Sequence, residues 1–157
     1  MSSDIPADLF ARFGELGRES STLTVMFHTR IAEQMGLSGT DHKCLDLAMR
    51  AEEPITAGRL AELSGLSTGA VTGVIDRLER RGFVRRVRDP YDRRKVLIEV
   101  SQEDPERFAH LFSGVVDTMR KVMEQFTLEE LEVVERYQRA LLDEMRSMLN
   151  VKPAAGD

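Results

Sequence analysis

The chain has 157 residues, a net charge of −5, 41% hydrophobic but only 6% aromatic residues, eight methionines and one cysteine. That length bounds it to one compact unit, or one unit with helical extensions, and the composition predicts a helical core filled by aliphatics. No apolar run approaches the roughly 18 to 20 residues that cross a bilayer, the start MSSDIPADLF lacks the pattern of a secretion signal, and one cysteine excludes an internal disulfide framework, so a cytoplasmic protein without membrane contact is expected.

In chain order, Pro6 to Met35 reads as one long helix. Leu9, Phe10, Phe13, Leu16, Leu23, Phe27, Ile31 and Met35 keep near-helical spacing, with a polar interruption from Gly17 to Ser21. Pro6 suits a first helical turn and Gly36 a stop. Such a helix needs other helices or a second chain to cover its stripe. Ser38 followed by Asp41 resembles a capping box and opens a helix to about Arg50, with Cys44, Leu45, Leu47, Ala48 and Met49 as its buried residues. Ala51 to Pro54 is a connection.

The next stretch, Ile55 to Ser101, is the part the rest serves. Thr56 caps a short helix with Leu60, Ala61 and Leu63 on one side, and Gly65 ends it. Ser67 caps a second helix to about Arg81, on which Val71, Val74, Ile75 and Leu78 fall at i, i+3, i+4 and i+7. Its opposite face opens with Ser67, Thr68, Gly69, Thr72 and Gly73, all small and mostly polar. After Gly82 the period changes: residues 83–88 and 95–100 read as two strands around an Asp89-Pro90-Tyr91-Asp92 turn. Two helices joined by a tight turn, then a basic hairpin, make a winged helix-turn-helix.

From Arg77 to Lys95 nine basic residues stand against three acidic ones, a local balance of +6, which leaves −11 for the remainder. A basic island in an acidic chain points to a polyanion-binding face. Charge alone leaves that reading even with a merely solvated surface; joined to the helix-turn-helix and wing, it favours DNA.

Leu66-Ser67, Val71-Thr72, Ile75 to Glu79, Arg81-Gly82-Phe83-Val84, Arg86, and Asp89-Pro90 through Asp92-Arg93-Arg94 resemble the MarR family of bacterial transcription regulators. The likeness is specific over residues 56–101 and looser in the flanking helices. It implies a mainly α fold with a small β-hairpin wing: an N-terminal dimerisation helix (1–36), the winged helix-turn-helix (37–101) and C-terminal dimerisation helices (102–150). Asp104-Pro105 starts the first of these, and Phe108, Leu111, Phe112, Val115, Val116, Met119, Val122, Met123 and Phe126 give it the strongest periodicity in the chain. Thr127-Leu128-Glu129-Glu130 is a capping box for the last helix, and 151–157 is an expected disordered tail.

The resemblance further implies a homodimer on a palindromic double-stranded operator, acting as a repressor and released by a small aromatic or amphipathic ligand. Base contacts are expected from Ser67, Thr68 and Thr72, with Gly69 and Gly73 removing bulk so that the helix sits deep in the major groove. Arg77 is a phosphate contact, or else an ion pair near Asp76 or Glu79. Asp92 and Arg94 match the family positions that ready an arginine for the minor groove, the carboxylate fixing the arginine's rotamer; Arg93 and Lys95 face phosphates or, for one of them, the protein body. Placement alone suggests Phe27, Ile31, His42, Leu45 and Met49 as ligand-pocket residues.

Cys44 lies on an apolar helix side, where a free cysteine acts as a small hydrophobe. His42 and His110 fall where zinc-sensing relatives hold ligands, but the spacing is incomplete and no CxxC or HxxxH occurs, so neither metal nor cofactor is expected. A metal- or thiol-responsive regulator of the same fold, and a winged helix used only for protein contacts, are the alternatives. There is no phosphate loop, GxSxG or catalytic grouping, and no nucleotide-binding segment follows Ser101 to make the chain part of a larger enzyme.

Overall fold

A computed structural model describes residues 5–101 and 109–151. The chain divides after His42 into two compact units, and among the described residues no helix is long and apolar enough to cross a membrane.

The first unit is dominated by α1, Ala7–Gln34. Its polar middle does not break it, and the hydroxyls of Thr22 and Thr29 turn back to donate to the carbonyls of Arg18 and Val25 one turn earlier. Pro6 is the N-cap residue rather than a member of the first turn. At the other end Gly36 takes φ +67°, and Leu37 N–H donates to Ala32 O, a left-handed stop that β-carbon-bearing residues adopt only with strain. Ile31 and Ala32 are buried, whereas Phe10, Leu16 and Leu23 further up the helix are exposed. Helix α2, Gly39–Arg50, then starts with Ser38 Oγ accepting from Asp41 N–H at 3.1 Å.

The second unit holds the winged core. Buried Cys44, Leu45 and Ala48 on α2 continue a stripe at helical spacing. Met49, expected inside, is 60% exposed on the last turn, past the end of that stripe. Lys43 Nζ donates to the carbonyl of Ser64, the last residue of α3 (Ala57–Ser64), and so satisfies a helix-end acceptor with a cation. Gly65 at φ +72° stops α3, and Ser67 Oγ accepts from Ala70 N–H to start α4, Thr68–Arg80.

On α4, Val71, Val74, Ile75 and Leu78 are each at most 1% exposed, with Leu60, Val84 and Ile98 in the same core. Full burial of each such side chain contributes about 1.5–3 kcal/mol; truncating Leu78 to alanine costs about 2–5 kcal/mol with its cavity. Gly82 at φ +76° ends α4 and delivers the chain to β2, Val84–Arg88, which pairs antiparallel with β3, Val96–Val100.

The sheet has a third strand that the hairpin reading lacked. Ile55–Thr56, here β1, pairs with β3 (Ile55 opposite Ile98, Thr56 opposite Leu97), so the order is β1-β3-β2. A two-residue strand carries no alternation to read. Thr56 keeps its expected role as well, its Oγ1 accepting from Arg59 N–H at 3.1 Å.

Beyond the wing, α5 spans Ala109–Met123 and α6 Leu128–Leu149. The expected start at Asp104-Pro105 and Phe108 lie outside the described residues, as does the tail after Val151. The capping box at α6 is complete: Thr127 Oγ1 accepts from Glu130 N–H, and Glu130 Oε2 accepts from Thr127 N–H at 2.8 Å. Both helices leave their apolar faces open, α5 through Val116, Met119 and Val122, α6 through Leu141, Leu142 and Met145.

Candidate nucleic-acid interface

Helix α4 turns its buried stripe to the core and therefore presents Ser67, Thr68, Gly69 and Thr72 outward; all four are exposed. The Ser67 hydroxyl is engaged as the cap of α4. Thr72 Oγ1 donates to Thr68 O at 2.9 Å, which leaves its lone pairs as acceptors. A β-carbon on Gly69 would meet nothing within 4 Å, so its smallness is not required by the fold. Gly73 is different: a β-carbon there would lie 3.4 Å from Arg77 Nη1, so the Arg77 guanidinium folds back over this glycine.

The wing tip is built from carboxylates that accept backbone N–H groups. Asp89 Oδ1 accepts from Tyr91 N–H at 2.7 Å and from Asp92 N–H at 3.0 Å. These bonds, the one from Tyr91 foremost, hold the Asp89 carboxyl below the usual aspartate range, with a smaller contribution from the charge of Lys95. The turn is closed by Asp89 N–H donating to Lys95 O and Lys95 N–H to Asp92 O. Asp92 Oδ1 accepts from the backbone N–H of Arg94 at 3.1 Å, and among the described residues the Arg94 guanidinium has no carboxylate partner. Asp92 thus shapes the loop rather than the arginine rotamer. Arg93, Arg94 and Lys95 are all exposed.

The basic island is smaller in effect than its formal charge. Arg85 Nε donates to Glu99 Oε2 at 2.5 Å, directly across the β2–β3 ladder. Arg86 binds two carboxylates of α4: Nη2 donates to Asp76 Oδ1 at 2.5 Å and Nη1 to Glu79 Oε2, while the Arg86 backbone N–H donates to Glu79 Oε1 at 3.0 Å. The hydrogen bond to Asp76, followed by those to Glu79 and opposed by burial, raises the Arg86 pKa further, so it stays charged at any working pH. Two of the nine cations are therefore committed to holding the wing, and Arg88, Arg93, Arg94 and Lys95 carry the wing's outward charge. Arg86 and Asp76 are ten residues apart, one on a strand and one on a helix, and the pair forms only once the chain turns back at Gly82.

The suggested pocket residues differ in exposure. Phe27 is half-buried, Ile31, His42 and Leu45 are buried, and Met49 is exposed. In the second unit a cavity of about 430 Å³ lies against Leu47, Pro54, Ile55, Arg59, Leu63 and Leu97, between the end of α2, α3 and the root of the wing. His42 is packed beside His28, ring centroids 5.4 Å apart, and His110 is exposed on α5. Among the described residues no group of three or more His, Cys, Asp or Glu is placed to hold a metal. Cys44 is fully buried.

Comparison with known proteins agrees with this architecture. The family model of the MarR family matches residues 37–96. A Bacillus subtilis (strain 168) protein described as an uncharacterized HTH-type transcriptional regulator, YcgE, is 40% identical over 120 residues, covering 76% of this chain and 77% of the relative. Among solved structures, a MarR family protein from Bacillus stearothermophilus superposes with a TM-score of 0.70 at 25% identity, covering 90% of this chain and 98% of that one. A MepR variant from S. aureus bound to an oligodeoxyribonucleotide shares the fold at 19% identity, with a TM-score of 0.55 over 85% of this chain and 97% of its own. The helix-turn-helix, the carboxylate-built wing and these likenesses together make this chain a member of the MarR family, a DNA-binding transcriptional regulator.

Proposed function

We propose that the protein is a cytoplasmic repressor that binds a palindromic operator as a homodimer and is released by a small amphipathic ligand. The observation that carries the reading is the pairing, within one winged unit, of an exposed small-polar face on α4 with an exposed triplet of cations at the wing tip. Helix α4 enters the major groove, where Thr72 and Thr68 meet base edges. The wing lies along the adjacent minor groove, with Arg94 directed into it and Arg93 and Lys95 on phosphates. The phosphate contribution of Arg77 comes from the same side of α4 as Gly73.

Dimerisation is supported by apolar area that a monomer would leave in water. Residues such as Met119, Val122, Leu141, Leu142 and Met145 are each more than 40% exposed, and contiguous apolar surface of that kind marks an interface. Two-fold symmetry also multiplies the affinity of a module that alone reads few base pairs. Release by ligand is supported by the cavity at the wing root, whose volume lies in the range of small-molecule sites. A ligand between α3 and β3 would act on the spacing of α4 and the wing.

The test is selection of bound duplexes from a random library, followed by sedimentation of the protein alone and in complex. An inverted-repeat consensus occupied by two chains supports the reading. A consensus without symmetry, or a protein that sediments as a monomer at micromolar concentration, contradicts it.

A further inference from the structure

The side chain at the very tip of the wing is not a cation. Tyr91 is 98% exposed, more than any other large apolar or aromatic residue described, and neither its ring nor its hydroxyl has a partner among the described residues. The fold gains nothing from it, since the turn is made by backbone groups and by Asp89 and would form with a small polar residue at the same position.

What the fold does supply is rigidity. Pro90 restricts the backbone just before Tyr91, Asp89 Oδ1 holds the Tyr91 and Asp92 N–H groups, and two backbone bonds between the Asp89–Asp92 turn and Lys95 close the hairpin beneath them. The Cα of Tyr91 is thereby fixed, and ordering the ring on a partner freezes only two side-chain torsions.

Chemistry narrows the partner. An aromatic ring flanked in sequence by exposed Arg93, Arg94 and Lys95 fits a surface that is apolar over a short distance and strongly anionic beside it. The minor groove of a duplex has that character: sugar walls between rows of phosphate, above an electronegative floor that attracts arginine. A phenol suits this boundary because its body is apolar while its hydroxyl donates to a phosphate oxygen.

We propose that Tyr91 is a second DNA-contacting group of the wing, its ring lying against the deoxyribose wall of the minor groove beside the point of entry of Arg94, a proposal that rests on the wing being a DNA-binding element. Tyr91 contributes shape and dispersion and Arg94 contributes charge, so the two have different salt signatures. Removing the ring lowers affinity without altering counterion release, whereas removing the guanidinium lowers both.

The chain has two tyrosines, Tyr91 and Tyr137, and no tryptophan. Full-length protein labelled with 3-fluorotyrosine therefore gives two fluorine resonances, assigned with Tyr91→Phe. The probe is a duplex selected from a random library, titrated at several salt concentrations against wild type, Tyr91→Ala, Tyr91→Phe and Arg94→Ala. The Tyr91 resonance is expected to shift on binding. Tyr91→Ala should bind about tenfold more weakly for each of the two rings a dimer loses, the scale of truncating one interface aromatic, with the wild-type salt slope. Tyr91→Phe should stay within about twofold of wild type, since it loses only one hydroxyl contact. If Arg94→Ala is weakened while Tyr91→Ala binds like wild type and the Tyr91 resonance does not move, Tyr91 is no contact and only this proposal falls. If wild type binds no duplex, or Arg94→Ala binds as wild type, the wing is not the DNA-binding element and both fall.

Discussion

Arg86 on β2 reaches back to Asp76 on α4 with a 2.5 Å hydrogen bond, and the same guanidinium also holds Glu79 one turn further along. This joins the helix that would read bases to the strand that carries the wing, across the turn at Gly82. One planar group that bridges two carboxylates thus ties α4 to the wing. Lysine, a compact point charge, would not span both.

Arg86→Ala should therefore weaken DNA binding although Arg86 itself faces protein. Stability should fall by only about 1 kcal/mol, because the side chains are partly exposed. Denaturant midpoints measure the second effect and duplex titrations the first. The salt slope should match wild type, since no phosphate-neutralising charge is lost; a reduced slope would show that Arg86 touches DNA directly.

Asp89 gives the wing a pH dependence. Its folded-state pKa lies below the unfolded value because the carboxylate accepts two backbone N–H groups. Its contribution is therefore complete above the ordinary aspartate pKa and is lost as pH falls through the depressed folded value. Asp89→Asn keeps an acceptor oxygen and does not titrate, so its turn should hold at acid pH. Asp89→Ala should loosen the turn at neutral pH as well. Amide exchange at Tyr91 and Asp92 reports both, and a turn equally protected in Asp89→Ala and wild type would remove the carboxylate from the account.

Cys44 is fully buried on α2, where it packs as a small hydrophobe. Cys44→Ser should cost about 1–3 kcal/mol, the range for an imperfectly satisfied buried hydroxyl, and leave DNA binding and its response to peroxide unchanged. Release of DNA by peroxide in the wild type, lost in Cys44→Ser, would make the protein a thiol sensor instead.

The parts of this fold that were legible in the sequence are those written at short range. Val71, Val74, Ile75 and Leu78 announce the inner face of α4 because a helical period repeats over two turns. Thr56, Ser67 and Thr127 announce helix starts because a cap acts within three residues. Gly65 and Gly82 announce helix ends through a backbone conformation that glycine adopts without strain. What was hidden depends on chain that returns from elsewhere. Ile55–Thr56 is a strand only because β3 lies beside it. The Arg86 pairing with Asp76 and Glu79 spans a change from helix to strand, so no single period contains it. The role of Asp92 turned on which donor its carboxylate meets, the Arg94 backbone N–H, and residue types do not specify that.

On the proposed reading the wing and α4 meet DNA in different ways, Arg94 of the wing through charge and Thr72 of the helix through base edges. Titration of Arg94→Ala and Thr72→Ala against a selected operator and a scrambled duplex, over a range of salt concentrations, tests it most directly. Arg94→Ala should weaken binding to both duplexes and lower the slope of log affinity against log salt by up to roughly 1.8 per dimer, about 0.9 for each neutralised phosphate. Thr72→Ala removes no charge, so its slope should stay at the wild-type value while base preference changes at one pair in each half-site. An Arg94→Ala protein with unchanged non-specific affinity and unchanged slope would contradict the account, because the wing would then not touch DNA.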